Sequence, residues 1–157
     1  ESSEKMQAPM CYCKNMSVDA ILHYYAGQLE DAGVSFHHSI EVPQKMKITD
    51  LDICRIFGNL LENAVRAVKA DKETEEPYVN CICRVRMGKL LIDIENSYSG
   101  EVRRNGDVFY STSHSGQGIG TASVSKTAEK YGGYADFEAS EGVFRANVFI
   151  PLENSGS

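Results

Sequence analysis

The chain has 157 residues, 42% of them hydrophobic, which suits one domain able to bury roughly 70% of its unfolded surface without disulfides. Sixteen Lys plus Arg against 22 Asp plus Glu leave a net charge of −6, which argues against a nucleic-acid-binding surface. No apolar run reaches the roughly 18 residues a membrane span needs.

In chain order, Val18, Ile21, Leu22, Tyr25 and Leu29 recur at helical spacing and predict an amphipathic helix over 18–32, stopped by Gly33. Residues 34–42 alternate apolar and polar before Pro43 and read as a strand. Thr49 and Asp50 can cap a second helix that runs to about Ala70, where the charged stretch 71–76 and Pro77 break the pattern. Residues 78–87 and 89–96 form a hairpin through Gly88. Over 97–115 the apolar pattern lapses, and a gap of that length inside a compact domain usually serves function. A third helix starts at Gly116–Gly120 and ends near Gly132-Gly133, and residues 134–139 and 143–151 close the fold as a strand pair. Three helices beside hairpins predict an α+β fold, a two-layer α/β sandwich with the helices on one face of a mixed sheet of five or more strands.

Five cysteines, an odd number in a chain with its own core, read as reduced thiols of a cytoplasmic domain. Cys11-x-Cys13 and Cys81-x-Cys83 are spaced too closely for a structural zinc site, and on a strand each pair shares one face. The start at Glu1 and the polar tail 153–157 suggest a piece of a longer chain, with any membrane attachment outside it.

Three clusters carry candidate chemistry. At 100° per residue, Arg55, Asn59, Glu62, Asn63 and Arg66 share one side of the second helix, opposite Ile53, Phe57, Leu61, Ala64, Val65 and Val68. A solvated face explains Arg55, but asparagine is a poor helix former, and the oxygens of Asn59 and Asn63 suit a hard cation such as Mg²⁺. The second cluster, Gly116-Gln117-Gly118-Ile119-Gly120-Thr121, joins close-approach glycines to a helix N-terminus that attracts phosphate; a glycine-rich turn is the plainer reading. Third, Asn96 ends a strand on the side of Ile92 and Ile94, so it points inward and needs a partner, either backbone, water or the edge of a ligand's base.

Taken in order, these clusters resemble the GHKL superfamily of ATP-binding domains, most of all the catalytic domain of quorum-sensing-type sensor histidine kinases. Residues 56–64, Ile-Phe-Gly-Asn-Leu-Leu-Glu-Asn-Ala, resemble the N box, residues 94–97 the G1 box, and residues 116–120 the G2 box. Residues 109–112 are similar to the aromatic box of the ATP lid, here 97–115. The resemblance covers nearly all of 1–157 and implies Mg²⁺ held at Asn63. It implies phosphates met by Asn59, Arg66 and the backbone of Gly116, Gly118, Ile119, Gly120 and Thr121, with Arg103 and Arg104 of the lid either phosphate or partner contacts or simply solvated. Asn96 would meet the adenine amine.

It further implies γ-phosphoryl transfer to a histidine on separate dimerisation helices of the same kinase, with a response regulator downstream and the isolated domain a monomer, in the cytoplasm beneath a membrane receptor. Where gyrase-like ATPases carry a water-activating glutamate this chain has Asn59, and an amide is no general base. That favours transfer over hydrolysis, with Glu62 left either to polarise an acceptor or a metal-bound water or to a structural or solvated role. Asn96 stands where Asp is commoner and can donate as well as accept, which predicts weaker selection of adenine. His23, His37, His38 and His114 do not fit the acceptor pattern. The alternative is a nucleotide-gated interaction module without transfer.

Overall fold

The computed structural model describes residues 11–99, 102–105, 108–111 and 117–152. The elements are α1 (Met16–Asp31), β1 (Ser35–Ile40), α2 (Asp50–Ala70), β2 (Tyr78–Arg86), β3 (Lys89–Ser97), β4 (Val102–Asn105), β5 (Val108–Ser111), α3 (Gln117–Lys130), β6 (Tyr134–Ser140) and β7 (Val143–Pro151). Five strands form one sheet in the order β1-β2-β3-β7-β6. The β1–β2 pair is parallel, joined through α2, and the other pairs are antiparallel.

Alternation along the strands decides which sheet face carries the helices. Val79, Cys81 and Cys83 of β2, Leu90, Ile92 and Ile94 of β3, and Ala146, Val148 and Ile150 of β7 are all buried on one face. The alternate residues, such as Arg84, Glu95 and Arg145, look outward. The middle helix α2 sends Ile53, Ile56, Phe57, Leu60, Leu61, Val65 and Val68 into that core, and α1 adds Val18, Leu22 and Leu29. The expected α+β two-layer arrangement, three helices on one face of a five-stranded mixed sheet, is therefore the one observed.

Two hairpins hold the sheet's register. Met87-Gly88 and Glu141-Gly142 are two-residue loops with positive φ at both positions (53° and 76°; 52° and 81°), the turn whose twist matches antiparallel strands. After α3, Gly133 lies so close to β7 that a Cβ there would sit 1.9 Å from the Phe149 carbonyl oxygen and 2.9 Å from Ile150 Cα. Only a residue without a side chain lets the chain pass at that point.

The stretch 97–115 is less irregular than its composition suggests, because β4 and β5 pair in it as a separate two-stranded hairpin. Its root is tied down on three sides. Ser97 Oγ accepts from the Tyr78 N–H at 3.0 Å, the Tyr98 N–H donates to Gly142 O at 2.9 Å, and the Ser99 hydroxyl donates to the Asp71 carboxylate. The tail 153–157, His114 and Gly116 lie outside the described residues.

Candidate functional site

Thr49 caps α2, its hydroxyl accepting from the Asp52 N–H at 3.1 Å, and the helix then carries Asn59 and Asn63 one turn apart. Both amides meet the first turn of α3. A Cβ placed on Gly120 would lie 3.4 Å from Asn63 Oδ1, 3.5 Å from Asn63 Nδ2 and 3.8 Å from Asn59 Oδ1. The missing side chain is thus what leaves space between the two amides and the start of a helix, where backbone N–H groups favour anions. Thr121, the next residue, is 2% exposed.

The polar face expected on α2 is divided between two neighbours. Asn59 and Asn63 meet α3, whereas Glu62 turns to α1: its Oε1 accepts from the Tyr25 hydroxyl at 3.0 Å and its Oε2 from Arg66 Nε at 2.8 Å. Burial first, and then the bond to Glu62, pushes the Tyr25 hydroxyl up to about 12, so it stays a donor at any physiological pH. Glu62 and Arg66 form one wall of an open groove of about 570 Å³ with Tyr25, Arg55, Asn59 and Ser123. Asn59 belongs to both places, the contact with Gly120 and the groove.

Asn96 lies on the helix-facing side of β3, as its parity predicts, in register with Val79 and Phe144. It is 2% exposed, and its Nδ2 donates to Ser97 O at 2.9 Å. Gly118 and Ile119 fall in the first turn of α3, Arg103 and Arg104 on β4, and Gly116 outside the described residues.

Two residues at these contacts escape sequence reasoning. Tyr25 reads as one more apolar position of α1, and only the rule that a buried hydroxyl seeks a partner hints at more. Asp52, at 2% exposure, reads as a helix-start acid, yet it accepts from Lys130 and Tyr131 at the far end of α3. No spacing rule links positions so far apart in the chain.

The domain is thus a two-layer α+β sandwich with an amide pair on its central helix, facing a glycine at the start of another. The family profile of the GHKL domain matches residues 46–151, and the chain belongs to that family. Its fold is also that of solved histidine kinase domains. The catalytic domain of histidine kinase ThkA, in a nucleotide-free form, superposes with a TM-score of 0.68 at 16% identity, over 88% of this chain and 91% of that one. The Acinetobacter baumannii histidine kinase AdeS gives 0.66 at 13% identity, over 98% and 72%. The histidine kinase domain of the Erythrobacter litoralis EL346 blue-light activated histidine kinase gives 0.63 at 14%, over 97% and 68%. No curated protein matches the sequence.

Proposed function

We propose that this domain binds Mg-ATP between α2 and the start of α3 and passes the γ-phosphoryl group to a histidine on the dimerisation helices of a longer kinase. The observation that carries the reading is the seat of Gly120 against Asn59 and Asn63. The residues fit the ligand: amide oxygens suit Mg²⁺, and the first turn of α3 offers N–H groups to phosphates.

In this reading the Asn63 oxygen holds the metal, while Asn59 and the backbone of Gly118, Ile119, Gly120 and Thr121 orient the phosphates. Arg66 lends positive charge from the groove side, and Asn96 meets the base. Bound Mg-ATP supplies the transferable phosphoryl group and neutralises its charge; the chain contributes positioning and fixed dipoles. Asn59 cannot take a proton from water, which supports transfer over hydrolysis. The acceptor helices and a response regulator are the partners this function requires, in the cytoplasm, and the acidic surface supports no nucleic-acid role.

One observation favours a second reading, a nucleotide-gated module without transfer. Both oxygens of Glu62, the carboxylate nearest the amide pair in sequence, are already engaged by Tyr25 and Arg66, which leaves it poorly placed to activate an acceptor. The test takes two steps. Asn63→Ala is expected to keep the fold, judged by its circular dichroism, and to lose Mg-dependent ATP binding by at least about tenfold, or 1.4 kcal/mol; unchanged affinity removes the site. γ-Labelled ATP added to the domain with its dimerisation helices then separates the readings. Label on a histidine supports the kinase, and firm binding with no label supports the module.

A further inference from the structure

The α2–α3 pair is fastened at the end away from Gly120. Asp52, with a side chain 3% exposed, accepts from Lys130 Nζ at 2.9 Å and from the Tyr131 hydroxyl through Oδ2, and from Arg55 at 3.0 Å through Oδ1. The Tyr131 oxygen in turn accepts from the Thr49 N–H at 3.2 Å. In an ordinary capping box the acid three residues after the cap reaches back to the cap's own N–H. Here Tyr131 of the α3 terminus takes that N–H and the acid reaches across to α3, so the helix cap has become an inter-helix clamp.

The contacts also give the geometry. Lys130 and Tyr131 meet the start of α2, while Gly120 meets Asn59 and Asn63 further along it, so the helices are antiparallel. Asp52 to Asn63 spans about 16 Å and Gly120 to Lys130 about 15 Å at 1.5 Å per residue, so α3 acts as a rod pinned at one end with the candidate phosphate seat at the other. Its apolar grip is thin. The described α3 side chains that are buried are Thr121, Val124, Thr127 and Ala128, two of them apolar, against the seven aliphatic or aromatic side chains α2 sends into the core. Hydrogen bonds from charged donors to a buried carboxylate are strong and directional, and those to Asp52 hold the end of α3 against the start of α2.

The geometry points to Asp52, Lys130 and Tyr131 as positioning residues that set the distance between the first turn of α3 and the Asn59–Asn63 pair, and through it nucleotide affinity. The affinity part rests on the Mg-ATP reading; the placement of α3 does not. The Asp52 carboxyl is held below the usual range, first by the Tyr131 hydroxyl and then by Lys130, so the clamp is charged at neutral pH.

The test uses the 157-residue chain as wild type, Asp52→Asn, Tyr131→Phe, Lys130→Arg and, as a control for lost stability alone, Cys83→Ala in β2. Amide hydrogen exchange over residues 120–125 and titration with Mg-ATP are read on each. Asp52→Asn and Tyr131→Phe are expected to speed exchange in that turn and to weaken Mg-ATP binding roughly tenfold, within the range of coupling between separated sites. Lys130→Arg keeps both near wild type, and Cys83→Ala leaves both in place despite a lower melting point. Exchange and affinity in the two clamp variants that match wild type, or change no more than in Cys83→Ala, overturn the proposal. If Asp52→Asn does not fold, Tyr131→Phe decides alone. A wild type that takes no Mg-ATP removes the proposed function, and the exchange data still decide whether the clamp places α3.

Discussion

Gly120 and Gly133 lack side chains for opposite reasons. At Gly120 an added methyl would rest at 3.4 Å from Asn63, ordinary contact, and alanine is a better helix former than glycine by about 1 kcal/mol. Gly120→Ala is therefore expected to melt no lower than wild type while losing about tenfold, or 1.4 kcal/mol, of Mg-ATP affinity. Scanning calorimetry and a nucleotide titration on the same sample check both halves. At Gly133 the added carbon would fall 1.9 Å from a backbone oxygen of β7, and a strand must move. Gly133→Ala is expected to destabilise by about 3 kcal/mol, read as a lower urea midpoint. Asn59 and Asn63 stood out in the sequence because amides are unusual inside a helix, and both side chains face Gly120. Asp52 and Tyr25 were not, because each has an ordinary local role that hides a partner distant in sequence.

Among the elements, α2 was readable from end to end: its periodic apolar side chains, Thr49 cap and charged stop all report local physics, and the observed Asp50–Ala70 follows them. The hairpin β4–β5 was not. Its strands are four residues long, and Val102-Arg-Arg-Asn carries no alternation to mark a strand. What anchors its root is also non-local. Burial pushes the Asp71 carboxyl up, but hydroxyls of Ser99 and Thr74 and the N–H groups of Glu73 and Thr74 outweigh this and hold it at about 2, against an ordinary 3.8. Because the folded value is the lower one, the unfolded chain binds more protons between the two, and stability rises with pH there. The contribution is complete above about pH 5 and is lost as pH falls through the folded value of about 2. Asp71→Asn is expected to melt lower than wild type at pH 7, with the gap closing as pH falls from 5 toward 2. A constant gap across that range would contradict the assignment.

For the molecule as a whole, the sheet and three helices share one continuous core, so unfolding is expected to be a single transition that any ligand of the native state raises. With Mg-ATP at about 100 times its dissociation constant the gain is about 2.7 kcal/mol, or roughly 5–10 °C for a chain of this size, and chelating the metal should remove most of it. The choice of base tests Asn96 in the same experiment. Its Nδ2 donates to the Ser97 carbonyl; under the proposed Mg-ATP reading that leaves the amide oxygen as the acceptor adenine's amine requires, whereas guanine presents a carbonyl there and needs a donor instead. An aspartate could not rotate to satisfy guanine, whereas Asn96 can, at the loss of one bond to Ser97 worth about 1 kcal/mol. The expected order is therefore Mg-ATP ahead of Mg-GTP by roughly fivefold, the ratio that 1 kcal/mol implies. Asn96→Asp should widen it by removing the donor. Firm ATP binding with no measurable GTP binding in the wild-type chain would remove Asn96 as the residue that relaxes base selection.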